Sequence, residues 1–239
     1  TNMRTVIFLA MTMLLTTVSA QAQKEENKTL EGNGNLVMRE VPVSSFETLK
    51  ASGVYELRLS QGDKEAVKIE ADENLQQYFT VRNEGASLVI DMKGLKNKNL
   101  KNKNKMRVYV TFKKLKAMDL STVGSVAAEK ALDFTDLEIN NASVGKVQLH
   151  LTANSVTFKN SSVGNVQLSG KAQNAVFTNS GVGSFDAGSF VVQTMNIENN
   201  GVGGATVNAE KDLKVKDNNL SRVKNKGAAR IRKNNVVVI

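Results

Sequence analysis

A glycine-centred element recurs through the second half of this 239-residue chain at a nearly constant interval. Three copies are close: Val123-Gly124-Ser125-Val126, Val144-Gly145-Lys146-Val147 and Val163-Gly164-Asn165-Val166. Three are looser: Val182-Gly183-Ser184-Phe185, Val202-Gly203-Gly204-Ala205 and Leu220-Ser221-Arg222-Val223. Their second positions lie 21, 19, 19, 20 and 18 residues apart. A fixed period near 20 residues is the signature of a solenoid, in which each unit stacks on the next and none folds alone.

Apolar columns keep step with this element. Leu137/Ile139, Val156/Phe158, Ala175/Phe177, Met195/Ile197, Leu213/Val215 and Ala229/Ile231 precede it, the last leading to Val236. Val126/Ala128, Val147/Leu149, Val166/Leu168 and Ala205/Val207 follow it. All but two of these pairs bracket a polar residue, as a strand with one buried face requires; Ala175/Phe177 brackets Val176 and Val126/Ala128 brackets Ala127. The valines around each glycine are three apart, so the alternation is expected to break at Gly124, Gly145, Gly164, Gly183 and Gly203. Glycine there predicts a bend that keeps both flanking valines inside. Just ahead runs a polar column, Asn141, Asn160, Asn179, Asn199 and Asp217, suited to a corner where stacked amides hydrogen-bond from coil to coil. The expected coil is strand, Asn corner, Gly bend, strand, and a second corner at residues such as Gly170 or Gly188. Seven such coils at ~4.8 Å would make a rod of roughly 30–35 Å. Leu213-x-Val215-x-x-Asn218-x-Leu220 also matches a leucine-rich-repeat core. The return side, Val-Gly-x-Val-x-Leu, has no helical face, and that favours the β-solenoid.

The first half reads as short strands between turns. Val54, Leu57 and Leu59 lead to Gln61-Gly62-Asp63-Lys64. Val67 and Ile69 follow, then Leu75 to Phe79 as a short helical turn, then strands at Thr80-Val81-Arg82, Ser87 to Asp91 and Met106 to Phe112. Arg4, the apolar run Val6 to Leu15 and small residues through Ala22 have the order of a secretory signal peptide. A buried core helix or a retained anchor is the alternative for that run. The organisation expected is therefore a signal peptide at 3–22, a strand-rich N-terminal part at 39–116, and solenoid repeats of the same domain at 117–239. No transmembrane segment is expected in the mature chain, which places it in the periplasm, at the cell surface or outside.

Composition removes much familiar chemistry. There is no cysteine, and His150 is the sole histidine. Disulfides, zinc ribbons, thiol nucleophiles, multi-histidine metal sites and lipid attachment at an N-terminal cysteine are all excluded. His150 reads as an outward strand residue with no catalytic partner. Asp133, Asp136 and Glu138 read as solvated surface, with a calcium site as the alternative. Arg222, Lys224, Arg230 and Arg232 could line a lyase groove, but a basic end-cap explains them equally well. No catalytic residue, cofactor or metal site is assigned. Aromatics at 5% are sparse for stacking on nucleic acid, and no nucleic-acid partner is expected.

The net charge of +9 is concentrated in two blocks. Residues 93–116 carry ten basic and no acidic side chains, and 211–233 carry nine basic and two acidic. Lys96, Lys98, Lys101, Lys103 and Lys105 lie in a Lys/Asn run that reads as a solvated loop or hairpin tip, or as a contact for an anionic ligand.

The chain resembles the exported bacterial proteins known as putative auto-transporter adhesins with a head GIN domain, common in Bacteroidetes. The likeness runs through Arg39-Glu40-Val41-Pro42-Val43, Phe46 to Leu57, Gln61-Gly62-Asp63, Val67 to Leu75, Leu88-Val89-Ile90 and the glycine-centred repeats. It implies a right-handed parallel β-helix of pectin-lyase-like shape without lyase catalytic residues, and a role in adhesion. It supplies no binding residues to carry over, and the Lys/Asn run departs from the family's shorter connection. Three functions are thus open. They are a non-enzymatic, adhesin-like or envelope-associated binding or structural module, an anionic polysaccharide-binding module using the basic run, and a carbohydrate-active enzyme. The partner expected is a protein or glycan at the cell envelope or host surface. The apolar end, Val236-Val237-Val238-Ile239, either completes the last coil or joins a homo-oligomer.

Overall fold

The computed structural model describes residues 29–95, 98–101, 104–217 and 222–233. The signal segment, Lys96, Lys103 and the segment Val236 to Ile239 lie outside the described residues. The fold is all-β, 68% strand and 4% helix, with parallel coils stacked as a β-solenoid of about six turns.

Five long strands carry the stack: Leu132–Asn141, Val147–Asn160, Val166–Asn179, Phe185–Asn199 and Ala205–Asp217. Each pairs in parallel with the next. The register holds the columns: Ile139, Phe158, Phe177, Ile197 and Val215 lie side by side in successive coils, all buried. Phe158, Phe177, Phe185 and Phe190 pack with ring centroids 5.3–6.2 Å apart and fill the middle of the rod.

The glycine corner differs from its sequence reading. In the coil around Gly164, Val156, Phe158, Asn160, Ser162, Val166 and Leu168 are all buried, so the alternation runs through the corner without a break. Asparagine and serine occupy the inward positions there. The valine ahead of each glycine faces out: Val123, Val144, Val163, Val182 and Val202 are 47–64% exposed, joined coil to coil by single parallel bridges. Residue type does not set direction at this corner: the valines face solvent while Ser143 and Ser162 are buried. The break in alternation lies on the opposite side of the coil, where Ala153 and Val156, Ala172 and Ala175, and Val192 and Met195 are buried three apart. The pairing ladder continues round that second corner, and Gly170 bends within it at φ +109°. Gly188 is not among the left-handed glycines.

The last coil is also shifted. Ile231 pairs with Leu213 and Lys233 with Val215, two residues beyond the expected columns. The extra length is taken up by a turn in which Asn225 Nδ2 donates to the carbonyls of Ala209, Gly227 and Ala229.

The stack starts well before residue 117. Thr48–Val54 and Glu56–Gln61 pair in parallel with Ala117–Val123 and Val126–Ala128 on one side. On the other side they pair in parallel with Ser87–Asp91 and Arg107–Phe112. Antiparallel strands then close that end: Ala66–Asp72 on Arg107–Phe112, Leu36–Val41 on Ala66–Asp72, and Thr80–Glu84 on Ser87–Asp91. The change of direction leaves the short strands Leu36–Val41 and Thr80–Glu84 outermost, and short edges of this kind are a poor template for another chain. The expected helical turn is a 3₁₀ turn at Glu73–Tyr78.

Candidate functional site

The Lys/Asn run is not a free hairpin tip. Asn99–Lys101 forms a short strand parallel to Thr29–Glu31, with Gly32 N–H donating to the Lys101 carbonyl at 2.8 Å. Leu95 and Leu100 pack partly against the core. Asn104 Nδ2 donates to the buried Asp72 carboxylate at 2.7 Å. The alternating lysines hid these anchors, because each is a single Leu or Asn without period. Of the candidate lysines, Lys98 lies 4.7 Å from the Tyr78 ring centre. Lys101 stands exposed opposite Glu31. Lys105 is an ion pair with Glu56 at 3.1 Å.

Glu56 is the hub of the charges at this end. It also meets Arg107 at 3.1 Å and Arg58 at 2.9 Å, and Arg107 reaches Glu70 at 2.7 Å. Burial alone would raise the Glu56 carboxyl, but hydrogen bonds from Lys105 and Arg107 and the Arg58 charge outweigh it and hold it below its ordinary value. A carboxyl lowered by folding stabilises the fold above its unfolded value, near pH 4.5, and that contribution is lost as pH falls through the folded value. Glu56→Gln should therefore lower stability at neutral pH and flatten its decline in acid. Denaturant melts at several pH values check this; parallel acid limbs in both proteins would contradict it.

The corner residues act inside the fold. Asn141 Nδ2 donates to Asn160 Oδ1, Asn160 to Asn179 and Asn179 to Asn199, at 2.8, 2.8 and 2.7 Å. This is the column read from the sequence as far as Asn199; Asp217, expected to continue it, is half-buried and meets Lys233 at 3.4 Å. Gly124, Gly145, Gly164, Gly183 and Gly203 all adopt left-handed φ values.

His150 is exposed, with Nδ1 2.9 Å from Ser169 Oγ. Asp133 and Asp136 face outward, and Glu138 pairs with Lys159 at 2.8 Å. Among the described residues no group of three or more His, Asp or Glu side chains is placed to hold a metal ion. Of the basic C-terminal block, Arg232 donates to Asp212.

A groove that the sequence reading did not identify runs across the early coils, about 970 Å³ in volume. The return segment Lys113 to Lys116 forms one wall and Asp133 to Glu138 the other, with Ser155 and Thr157 beyond. Phe134 is half-buried between them, stacked on the buried Phe112 at 5.8 Å between ring centres. Gln61 ties the walls together: its amide donates to the Lys113 and Asp133 carbonyls and accepts from Asp133 N–H. In the register of the stack, Phe134 occupies a column otherwise filled by Ala153, Ala172 and Val192. That substitution of a ring for a small side chain was the available signal.

Residues 45–229 match the family model described as "Putative auto-transporter adhesin, head GIN domain". The chain belongs to this family. A solved putative adhesin from Bacteroides fragilis is 25% identical, with a TM-score of 0.73, and the match covers 86% of this chain and 100% of that one. A putative lipid binding protein from Parabacteroides distasonis shares the fold at 20% identity and a TM-score of 0.59, covering 87% of this chain and all 100% of its own. A putative adhesin from the same organism does so at 17% identity and 0.56, with coverage of 87% and 100%. No curated protein matches the sequence. No helix among the described residues is long and apolar enough to cross a membrane.

Proposed function

We propose that this head GIN chain is an exported, non-enzymatic adhesin-like module that presents a rigid contact surface to a protein or glycan at the cell envelope or host surface. The observation that carries this reading is the in-register stack of long parallel strands, which fixes outward side chains at a constant coil-to-coil spacing. A surface that is already ordered loses little entropy on binding. Family membership points the same way.

The second reading is an anionic polysaccharide-binding module centred on the basic run, supported by Lys98 and Lys101 being exposed on an anchored segment. Deleting the run would confuse the issue, since it would remove a strand and the Asn104–Asp72 bond. The double variant Lys98→Gln/Lys101→Gln is cleaner. Adherence of the folded chain to bacterial envelopes and host-cell surfaces should change less than about twofold in that variant, against roughly tenfold or more if the lysines carry binding. Under the polysaccharide reading binding also falls steeply with salt. No retention of the wild-type chain on any of these surfaces would sink the adhesin reading.

A further inference from the structure

We infer that the groove over Phe134 is a carbohydrate-binding subsite, taking a glycan whose ring lies on the aromatic face and whose hydroxyls are read by the two walls. The inference rests on the adhesin reading and names the class of ligand it would use. Three observations carry it. Phe134 presents a half-buried ring on an immobile base, since Phe112 beneath it is wholly buried and the two stack with 21° between their planes. The part of this ring that borders the groove is an apolar surface among polar groups, which suits the C–H side of a pyranose. The flanking groups are donors and acceptors of both kinds: Lys113 and Lys114 on one wall, the Asp133 and Asp136 carboxylates and the Thr135 hydroxyl on the other.

Gln61 fixes the separation of the walls through three hydrogen bonds of 2.8–3.0 Å, so the groove is formed before any ligand arrives. Two charged partners are already satisfied, Lys116 on Glu47 at 2.6 Å and Glu138 on Lys159 at 2.8 Å. Lysines on one wall and carboxylates on the other offset each other. Binding here should therefore depend weakly on ionic strength, unlike binding through the basic run.

The test is a glycan array of neutral, amino and acidic sugars probed with the purified chain at low and moderate salt, alongside adherence to whole envelopes. Asp136→Asn and Phe134→Ala should each lose at least tenfold in binding to the glycans retained by the wild type, and Phe134→Tyr should keep it. Asp136→Asn guards against loss of folding, because Asp136 is exposed and takes a single long bond from Asn154. The Lys98→Gln/Lys101→Gln variant should bind these glycans normally. An array without hits, hits indifferent to the groove variants, or binding that survives enzymatic deglycosylation of the target overturns the subsite. If envelopes are still retained in those cases, the adhesin reading stands and only the groove assignment falls.

Discussion

Gly164→Ala should destabilise the solenoid by roughly 3–5 kcal/mol, combining backbone strain with a steric collision that cannot relax. Gly164 has φ +139°, and a Cβ placed on it would lie 2.2 Å from the Gly145 carbonyl oxygen. That oxygen belongs to a backbone held on both sides, since Gly145 N–H donates to the Val163 carbonyl of the next coil and the adjoining Val144 carbonyl accepts from Gly124 N–H of the previous one. The neighbouring coil cannot retreat without loosening the next, so the damage should spread along the axis. Gly85→Ala is the control: its φ is +58° and nothing lies within 4 Å of the added atom. There only the left-handed backbone cost of about 1–2 kcal/mol should appear. Urea unfolding of both variants measures the difference, and equal losses would refute the close-stacking account of the glycine column.

Asn160→Ala should cost about 2–4 kcal/mol, because it leaves several buried groups without partners. Asn160 accepts from Asn141 Nδ2 and Ser162 Oγ and donates to Asn179 Oδ1, each at 2.8 Å. Asn160→Asp keeps the shape but replaces a donor by an acceptor and places a carboxyl in a buried row. Burial raises such a carboxyl, so its neutral form is the one the fold prefers. Stability of that variant should fall as pH rises above about 4, the opposite of the wild-type Glu56 contribution. Chemical denaturation at two pH values would show the slope. A flat profile would mean that the ladder position is wet.

The solenoid was legible because the constraint repeats. One inward phenylalanine or isoleucine per coil is ambiguous alone, but Ile139, Phe158, Phe177 and Ile197 at a common offset define a column. The asparagine ladder was legible for the same reason. The outward valines were not, since Val144 and Val163 have the residue type of a core position, and only chain geometry shows that Ser143 and Ser162 point inward instead. The end that closes the rod was read as strands but not as a cap. Its pairings join segments far apart in sequence, such as Thr29–Glu31 with Asn99–Lys101, and no local pattern encodes them. The groove was missed because it depends on Gln61, Lys113 and Phe134, which the stack brings together and the sequence keeps separate.

The proposed role is to hold a partner without transforming it. Incubating the purified chain with a panel of envelope and host polysaccharides, and assaying retention and sugar release in the same wells, tests that directly. Saturable retention with no new reducing ends or unsaturated sugars is the result expected. Time-dependent release of either product would contradict that reading.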